Sequence, residues 1–231
     1  MSDGVSDWGP EVDTMPRPLP ARVKISGRYV ELEPLHRRHA VDLWRAVQDA
    51  DDSFAYVPFG PFASFAAFER FIAEFAAGQE RVAWAIRPVS TGEASGWLTL
   101  MDIQPANAAI EIGSIWFGPK LQRTKAATEA IYLLLKLAAD DLGYRRLVWK
   151  CNSRNAGSKR AAERLGFVYE GQHRMHLTVK GRQRDTDWYS IIAPDWPRCR
   201  AALVGWLDGE NFAPDGTAKR GLAEIRAVIS E

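Results

Sequence analysis

Three groups of residues have side chains and backbone suited to chemistry. One runs from Ile115-Trp116-Phe117 through Gln122-Arg123-Thr124-Lys125-Ala126-Ala127, a strand-like segment that leads into the strongest helical pattern of the chain. The first turn of a helix presents backbone N–H groups with no intrahelical partner and a partial positive charge. Successive amides there can cradle a pyrophosphate, and Arg123 and Lys125 add basic side chains. The second group is Asn152-Ser153-Arg154-Asn155-Ala156-Gly157-Ser158, followed by Leu165-Gly166-Phe167. Asn155 suits the N-cap of a short helix that Gly166 would end. The third is Glu111, in Glu111-Ile112-Gly113-Ser114-Ile115-Trp116. A strand carboxylate can accept a proton, directly or through water, as a general base. Gly113 could mark a bulge that frees a backbone N–H for a carbonyl oxygen.

The elements that must position these groups follow from periodicity. Alternation predicts a strand over residues 29–35, and 3.6-residue spacing predicts a helix over 37–50. Residues 54–62 form an aromatic-rich loop. Ser64 caps a second helix with Phe65, Phe68, Phe71, Ile72 and Phe75 on its apolar face, ended by Gly78. Strands over 82–87, 94–102 and 109–117, joined by short turns, read as an antiparallel meander. In the last of them Ile110, Ile112, Ser114 and Trp116 point one way, and Glu111, Gly113, Ile115 and Phe117 the other. A helix over 125–142 is closed by Gly143. Then come a buried-type strand (146–151), a short helix (155–165), and strands over 167–176 and 183–192 around a turn at Lys180-Gly181. A helix over 195–207, a polar loop (211–217) and a terminal helix (218–229) complete the chain. The order β-α-α-β-β-β-α-β-α-β-β predicts an α/β (α+β) fold, a mixed sheet with helices on both faces.

Composition narrows the function classes. The chain has 231 residues, 46% hydrophobic and 26% charged, which suits one domain with terminal additions. A net charge of +1 gives no global field for nucleic acid or an acidic membrane. No apolar stretch is long enough to span a bilayer, and residues 1–20 lack the basic start and apolar run of a signal peptide. A cytoplasmic location is expected. Cys151 and Cys199 read as reduced packing thiols, and His36 and His39 as residues beginning a helix, with no metal site implied. Residues 1–20 read as a flexible tail in which Trp8 alone could dock.

With the three motifs in this order, residues 24–193 or so resemble the GCN5-related N-acetyltransferase (GNAT) superfamily, in its RimJ/RimL-type branch. The resemblance implies a mostly antiparallel central sheet with a splayed pair of parallel strands. It places the acetyltransferase domain at 21–193, after the tail (1–20) and before a C-terminal helical extension (194–231) that could serve as a homodimer contact or a lid, or cover the sheet. It implies acetyl-CoA as cofactor, gripped by the family's Gln/Arg-x-x-Gly-x-Gly/Ala loop. Gln122 and Ala127 match that loop, whereas Lys125 stands where the family has glycine and could contact phosphate itself. Cofactor contacts would come from Ile115, Trp116, Phe117, Gln122, Arg123, Thr124, Lys125, Ala126, Ala127, Asn152, Asn155 and Ser158. Glu111 would be the general base. Some relatives have a tyrosine acid at the position of Ala162, which leaves Ser158 or solvent to protonate the thiolate here. Tyr56 and Phe59 of the aromatic loop, with Arg174 and His176 on one strand face, would meet the acceptor. That acceptor would be a primary amine, on a protein N-terminus, on an amino acid or peptide-like small molecule, or on a polyamine. A non-catalytic acyl-CoA-binding module is the alternative, kept open by Lys125 and Ala162. An unrelated phosphate-binding α/β domain would need a P-loop lysine or a Rossmann glycine run, and neither is present.

Overall fold

Strand-forming alternation builds one eight-stranded sheet in the computed structural model, which describes residues 9–229. The strands are β1 (Ile25–Ser26), β2 (Val30–Pro34), β3 (Arg81–Pro88), β4 (Gly96–Gln104), β5 (Ala109–Phe117), β6 (Arg146–Asn152), β7 (Val168–Val179) and β8 (Arg182–Ile192). Their order is β1-β2-β3-β4-β5-β6-β8-β7, antiparallel throughout except for the parallel pair β5–β6. The mixed α/β architecture with one parallel pair is the one expected.

Helices cover both faces. On one side lie α1 (Ala40–Val47) and α2 (Phe65–Ala77), packed with Phe54, Phe59 and Phe62 against Trp97 and Trp116. On the other lie α3 (Lys125–Lys136), α4 (Ala156–Leu165), α5 (Trp196–Leu207) and α6 (Leu222–Ala227). Their apolar stripes meet Leu98, Leu100, Ile110, Ile112, Leu147 and Ile191 in the larger core. Trp196, Leu203 and Trp206 of α5 belong to that same core, so α5 closes it rather than standing apart. The α3 helix continues into a π-helical turn, Leu137–Asp141, before Gly143 at φ +73°. The terminal helix is shorter than its predicted span of 218–229. Ala218 pairs with Phe212 as an isolated bridge, and Glu224 accepts the Gly221 N–H to start α6 later.

The expected tail divides. Residues 1–8, with Trp8, lie outside the described residues. Residues 9–24 form no helix or strand, yet they are tied to the domain. Pro18 O accepts from Tyr144 Oη at 3.1 Å, and the Arg22 guanidinium donates to the carbonyls of Ala76, Gly78 and Arg81. Cys151 and Cys199 are free and buried. Among the described residues no helix is long and apolar enough to cross a membrane, and no group of three or more His, Cys, Asp and Glu side chains could hold a metal.

Two buried carboxylates fix the helices on the sheet. Glu129, on α3, accepts the backbone N–H groups of Arg28, Tyr29 and Val30 at 2.9, 2.6 and 2.9 Å, which pins α3 to the β1–β2 turn. Gly27 has no side chain to spare here, since a Cβ would lie 2.4 Å from the Glu129 carboxylate. Glu33, on β2, binds Arg38 (2.8 Å), Arg87 and the ring of His39 (3.1 Å). His39 is therefore held in a structural ion cluster at the foot of α1. Burial works to raise the Glu33 pKa, but the hydrogen bonds from His39, Arg87 and Arg38 prevail and hold it at about 2.

That low value makes Glu33 a pH-dependent stabiliser. Its folded pKa lies below the ordinary value of 4.5, so its contribution is complete above about pH 4.5 and is lost as the pH falls toward 2. Urea unfolding of Glu33→Gln against the parent should show a deficit on the order of 2–3 kcal/mol at pH 7 that shrinks by pH 3. A deficit of equal size at both pH values would contradict the assignment.

Candidate active site

The parallel pairing of β5 with β6 lasts three residues: Ala109↔Arg146, Ile110↔Leu147 and Glu111↔Val148. Beyond Glu111 the strands diverge, and from Ile112 to Phe117 β5 has no strand neighbour on that side. On its other side β5 still pairs with β4, but it carries one extra residue between Gly113 and Trp116. The bulge is at Ser114, in the left-handed region at φ +46°, not at Gly113 as expected. Gly113 has a different task. A Cβ there would lie 2.7 Å from a Glu111 carboxylate oxygen and 2.8 Å from the Met101 sulfur, so glycine makes room for the acid.

The bulge also corrects the predicted faces. An added residue reverses the alternation beyond it. Ile115 and Phe117 therefore pack toward the larger core with Ile110 and Ile112, while Trp116 crosses to the other face. There the Trp116 ring stacks on Phe54 (5.5 Å) and Trp97 (4.8 Å), and its indole N–H donates to Ser53 Oγ at 2.8 Å. The Trp116 side chain is a core element, so the 115–117 segment offers the open groove its backbone.

At the mouth of the splay stands the N-terminus of α3. Thr124 is the N-cap and accepts from Ala127 N at 3.1 Å, while Thr128 N donates to Thr124 O. The amides of Lys125 and Ala126 are left without a partner among the described residues, as a helix start dictates. Arg123, at φ +63°, turns the loop into the helix. Gln122 folds back and donates to Phe117 O at 3.0 Å. The Lys125 ammonium lies 3.8 Å over the ring of Phe212 and 5.4 Å from that of Tyr29. A lysine is thus accommodated at the glycine position by turning its side chain onto aromatic rings and leaving its amide free.

Across the splay, Asn152 and Asn155 shape the turn from β6 into α4. Asn152 Oδ1 accepts from Arg154 N at 2.9 Å, and Asn155 caps α4 by accepting from Ser158 N at 3.0 Å. Ser158 Oγ accepts the indole N–H of Trp149 at 3.0 Å, and its hydroxyl can donate to the Cys151 sulfur beside it. Ala162 is fully buried in the larger core.

Glu111 lies at the vertex, 7% exposed, with its carboxylate 3.0 Å from Lys150 Nζ. Lys150 also reaches Asp102 at 2.6 Å and sits 4.2 Å over the Trp188 ring. Burial raises the Glu111 pKa above the ordinary value and the Lys150 ammonium offsets part of that. Burial opposes the charge on Lys150, but the attraction of Glu111 and Asp102 prevails and raises its pKa. Sequence reasoning missed Lys150 and Asp102. The signal was a lone charge in the apolar run Leu147-Val148-Trp149-Lys150-Cys151.

The same sheet face continues onto β8 and β7. The rings of His173 and His176 meet at 5.3 Å and pack on Trp188, at 4.6 and 6.4 Å. Arg174 and His176 do not share this face as expected. The strand gains two residues between His173 and Leu177, with Met175 at φ +51°, so His173 is the partner of His176 and Arg174 is exposed. The hairpin tip reaches over this face, where Lys180 Nζ donates to Phe54 O at 2.8 Å. Tyr56 is exposed beside that contact. Phe59, expected at the acceptor site, is core instead, with its ring 5.0–6.3 Å from those of Phe54, Phe71, Phe75 and Trp97. A hollow of about 1180 Å³ is lined by Arg45, Thr91, Ser95, the α3 start from Arg123 to Ala126, and Phe212. It takes no residue from β6 or α4 and does not reach Glu111.

Comparison with known proteins agrees with this geometry. The family model described as acetyltransferase (GNAT) domain matches residues 30–168. The chain is similar to the crystal structure of a GCN5-related N-acetyltransferase from Brucella melitensis, with 42% identity over 93% of this chain and 98% of that one, and a TM-score of 0.91. A GNAT-family probable acetyltransferase from Chromobacterium violaceum has 36% identity over 85% of this chain and all of the other (100%), with a TM-score of 0.78. Among curated proteins, "Putative ribosomal N-acetyltransferase YdaF" of Bacillus subtilis is 29% identical over 105 residues, which are 46% of this chain and 57% of that relative's length.

The charge pair at the vertex can be tested without substrate. Lys150→Met removes the cation and leaves burial unopposed, so the Glu111 carboxyl should titrate at higher pH than in the parent when followed by carbon-13 NMR. An unchanged midpoint would show that Lys150 does not set the Glu111 charge.

Proposed function

The chain belongs to the GNAT family of N-acetyltransferases, and from that premise we propose that it moves an acetyl group from acetyl-CoA to a primary amine at the β5–β6 splay. The observation that carries this reading is the meeting of three features at one opening: an unpaired strand edge, a helix start with free amides, and a buried carboxylate at the vertex.

The groups present fit acetyl-CoA by their chemistry. Free amides at Lys125 and Ala126 suit a pyrophosphate, and the Arg123 side chain adds charge there. The edge of β5 from Ile112 to Phe117 suits an arm that carries amide groups of its own, as an added strand would. Bound there, acetyl-CoA supplies an activated thioester. Glu111, whose charge Lys150 favours against the effect of burial, would accept the amine proton through water. Ser158, held by Trp149, is the hydroxyl available to the departing thiolate. Positioning provides much of the remaining rate enhancement, because a thiolate leaves readily. The acceptor would approach on the face of Glu111, between the α1–α2 loop and the β7–β8 hairpin. A cytoplasmic setting belongs to the same reading.

Calorimetry should show CoA binding with micromolar-scale affinity. Thiol release across a panel of amines should identify an acceptor, and Glu111→Gln should lower kcat by about 10²–10⁴-fold with little effect on CoA affinity. Absence of CoA binding would refute the proposal. Binding without thiol release for any amine would favour a module that holds acyl-CoA without turnover.

A further inference from the structure

The face that bears Glu111 contains a cation that the proposed acetyl transfer leaves unused. Arg184, on β8, is half-buried, and its Nε donates to Thr186 Oγ1 at 3.2 Å. Its other four N–H groups find no acceptor, and no carboxylate lies within ion-pair distance, among the described residues. Lys150, by contrast, is held by both Asp102 and Glu111. Thr186 Oγ1 is also 3.0 Å from His176 Nδ1, so Arg184, Thr186 and His176 form one polar cluster beside Trp188. The indole N–H of Trp188 is itself buried without an acceptor. Arg184 and Glu111 lie within Coulombic reach of each other.

A half-buried guanidinium held by a single hydrogen bond has donors to spare, and its planar fork matches a carboxylate or phosphate. Donors therefore outnumber acceptors at one end of the face, while the other end offers a carboxylate to an amine. Resting on the acetyltransferase reading, we propose that the acceptor is a small amine carrying an anionic group, carboxylate or phosphate, which Arg184 engages while the amine faces Glu111. A peptide N-terminus offers a neutral carbonyl next to its amine and leaves Arg184 unpaired, so small anionic amines should be preferred to it.

The test compares matched acceptors: amino acids against their carboxamides, and aminoalkyl phosphates against the corresponding amino alcohols. The anionic member should have a kcat/KM at least tenfold higher, mainly through KM. Arg184→Gln should remove that preference while sparing the neutral member, Arg184→Lys should restore part of it, and the exposed Arg182→Gln should leave the ratio unchanged. Calorimetry with N-acetylated products in the presence of CoA gives a readout independent of turnover, in which the acid should bind more tightly than the amide and lose that advantage in Arg184→Gln. Equal use of neutral acceptors, or a preference that survives Arg184→Gln, would overturn the inference and leave the transferase reading intact. Arg184-dependent binding of the acid with no turnover of any amine would support the anion site and refute the transferase reading. Failure of both products to bind would overturn the anion site.

Discussion

Strands β5 and β6 share three residue pairs, and the working parts of the molecule depend on their separation after Glu111↔Val148. Parallel strands of a sheet are normally buried and paired along their length. Here divergence leaves backbone groups of residues 112–117 facing open space on one side. The Ser114 bulge and the anchored Trp116 keep the strand end attached to β4, so the edge stays rigid while unpaired. Glu129 anchors α3 to the β1–β2 turn and so holds the helix start at the same opening. An extended ligand with an anionic end can meet both without rearrangement, which limits the ordering cost of binding.

Electrostatics at the vertex follow from burial. An isolated carboxylate at the depth of Glu111 would tend to take up a proton, and a proton-bearing acid cannot serve as base. Lys150 opposes that tendency, and Asp102 gives Lys150 a second acid, so the cation is firmly held. The aromatic packing of α1, α2 and the 54–62 loop fixes the opposite wall, with the hairpin contact from Lys180 to Phe54 closing it above. Further along the same sheet Arg184, Thr186 and His176 gather in one polar cluster.

Much of this was legible in the sequence, because local periodicity and caps decide the elements. Asn155 and Ser64 cap the helices where their side chains suggested, and Glu111 lies in the strand that alternation predicted. Two of the departures share a physical cause. Ser114 and Met175 adopt the left-handed region without being glycine, and each such residue resets the faces beyond it. No composition signal marks them, so Trp116 was assigned to the groove and Arg174 was grouped with His176. Phe59 was misplaced for another reason, since an aromatic loop residue reads alike whether it lines a pocket or fills a core. Lys150 and Asp102 become partners only when β4, β5 and β6 assemble, and that is information of tertiary origin.

CoA bound in the β5–β6 splay against the start of α3, as proposed, would shield the strand edge and the helix start from solvent. Amide hydrogen exchange read by mass spectrometry, with and without CoA, addresses it directly. The expected result is slowed exchange at residues 112–117 and 123–127, with the 88–95 turn unaffected. Slowed exchange confined to 88–95, or no change at the strand edge, would contradict it.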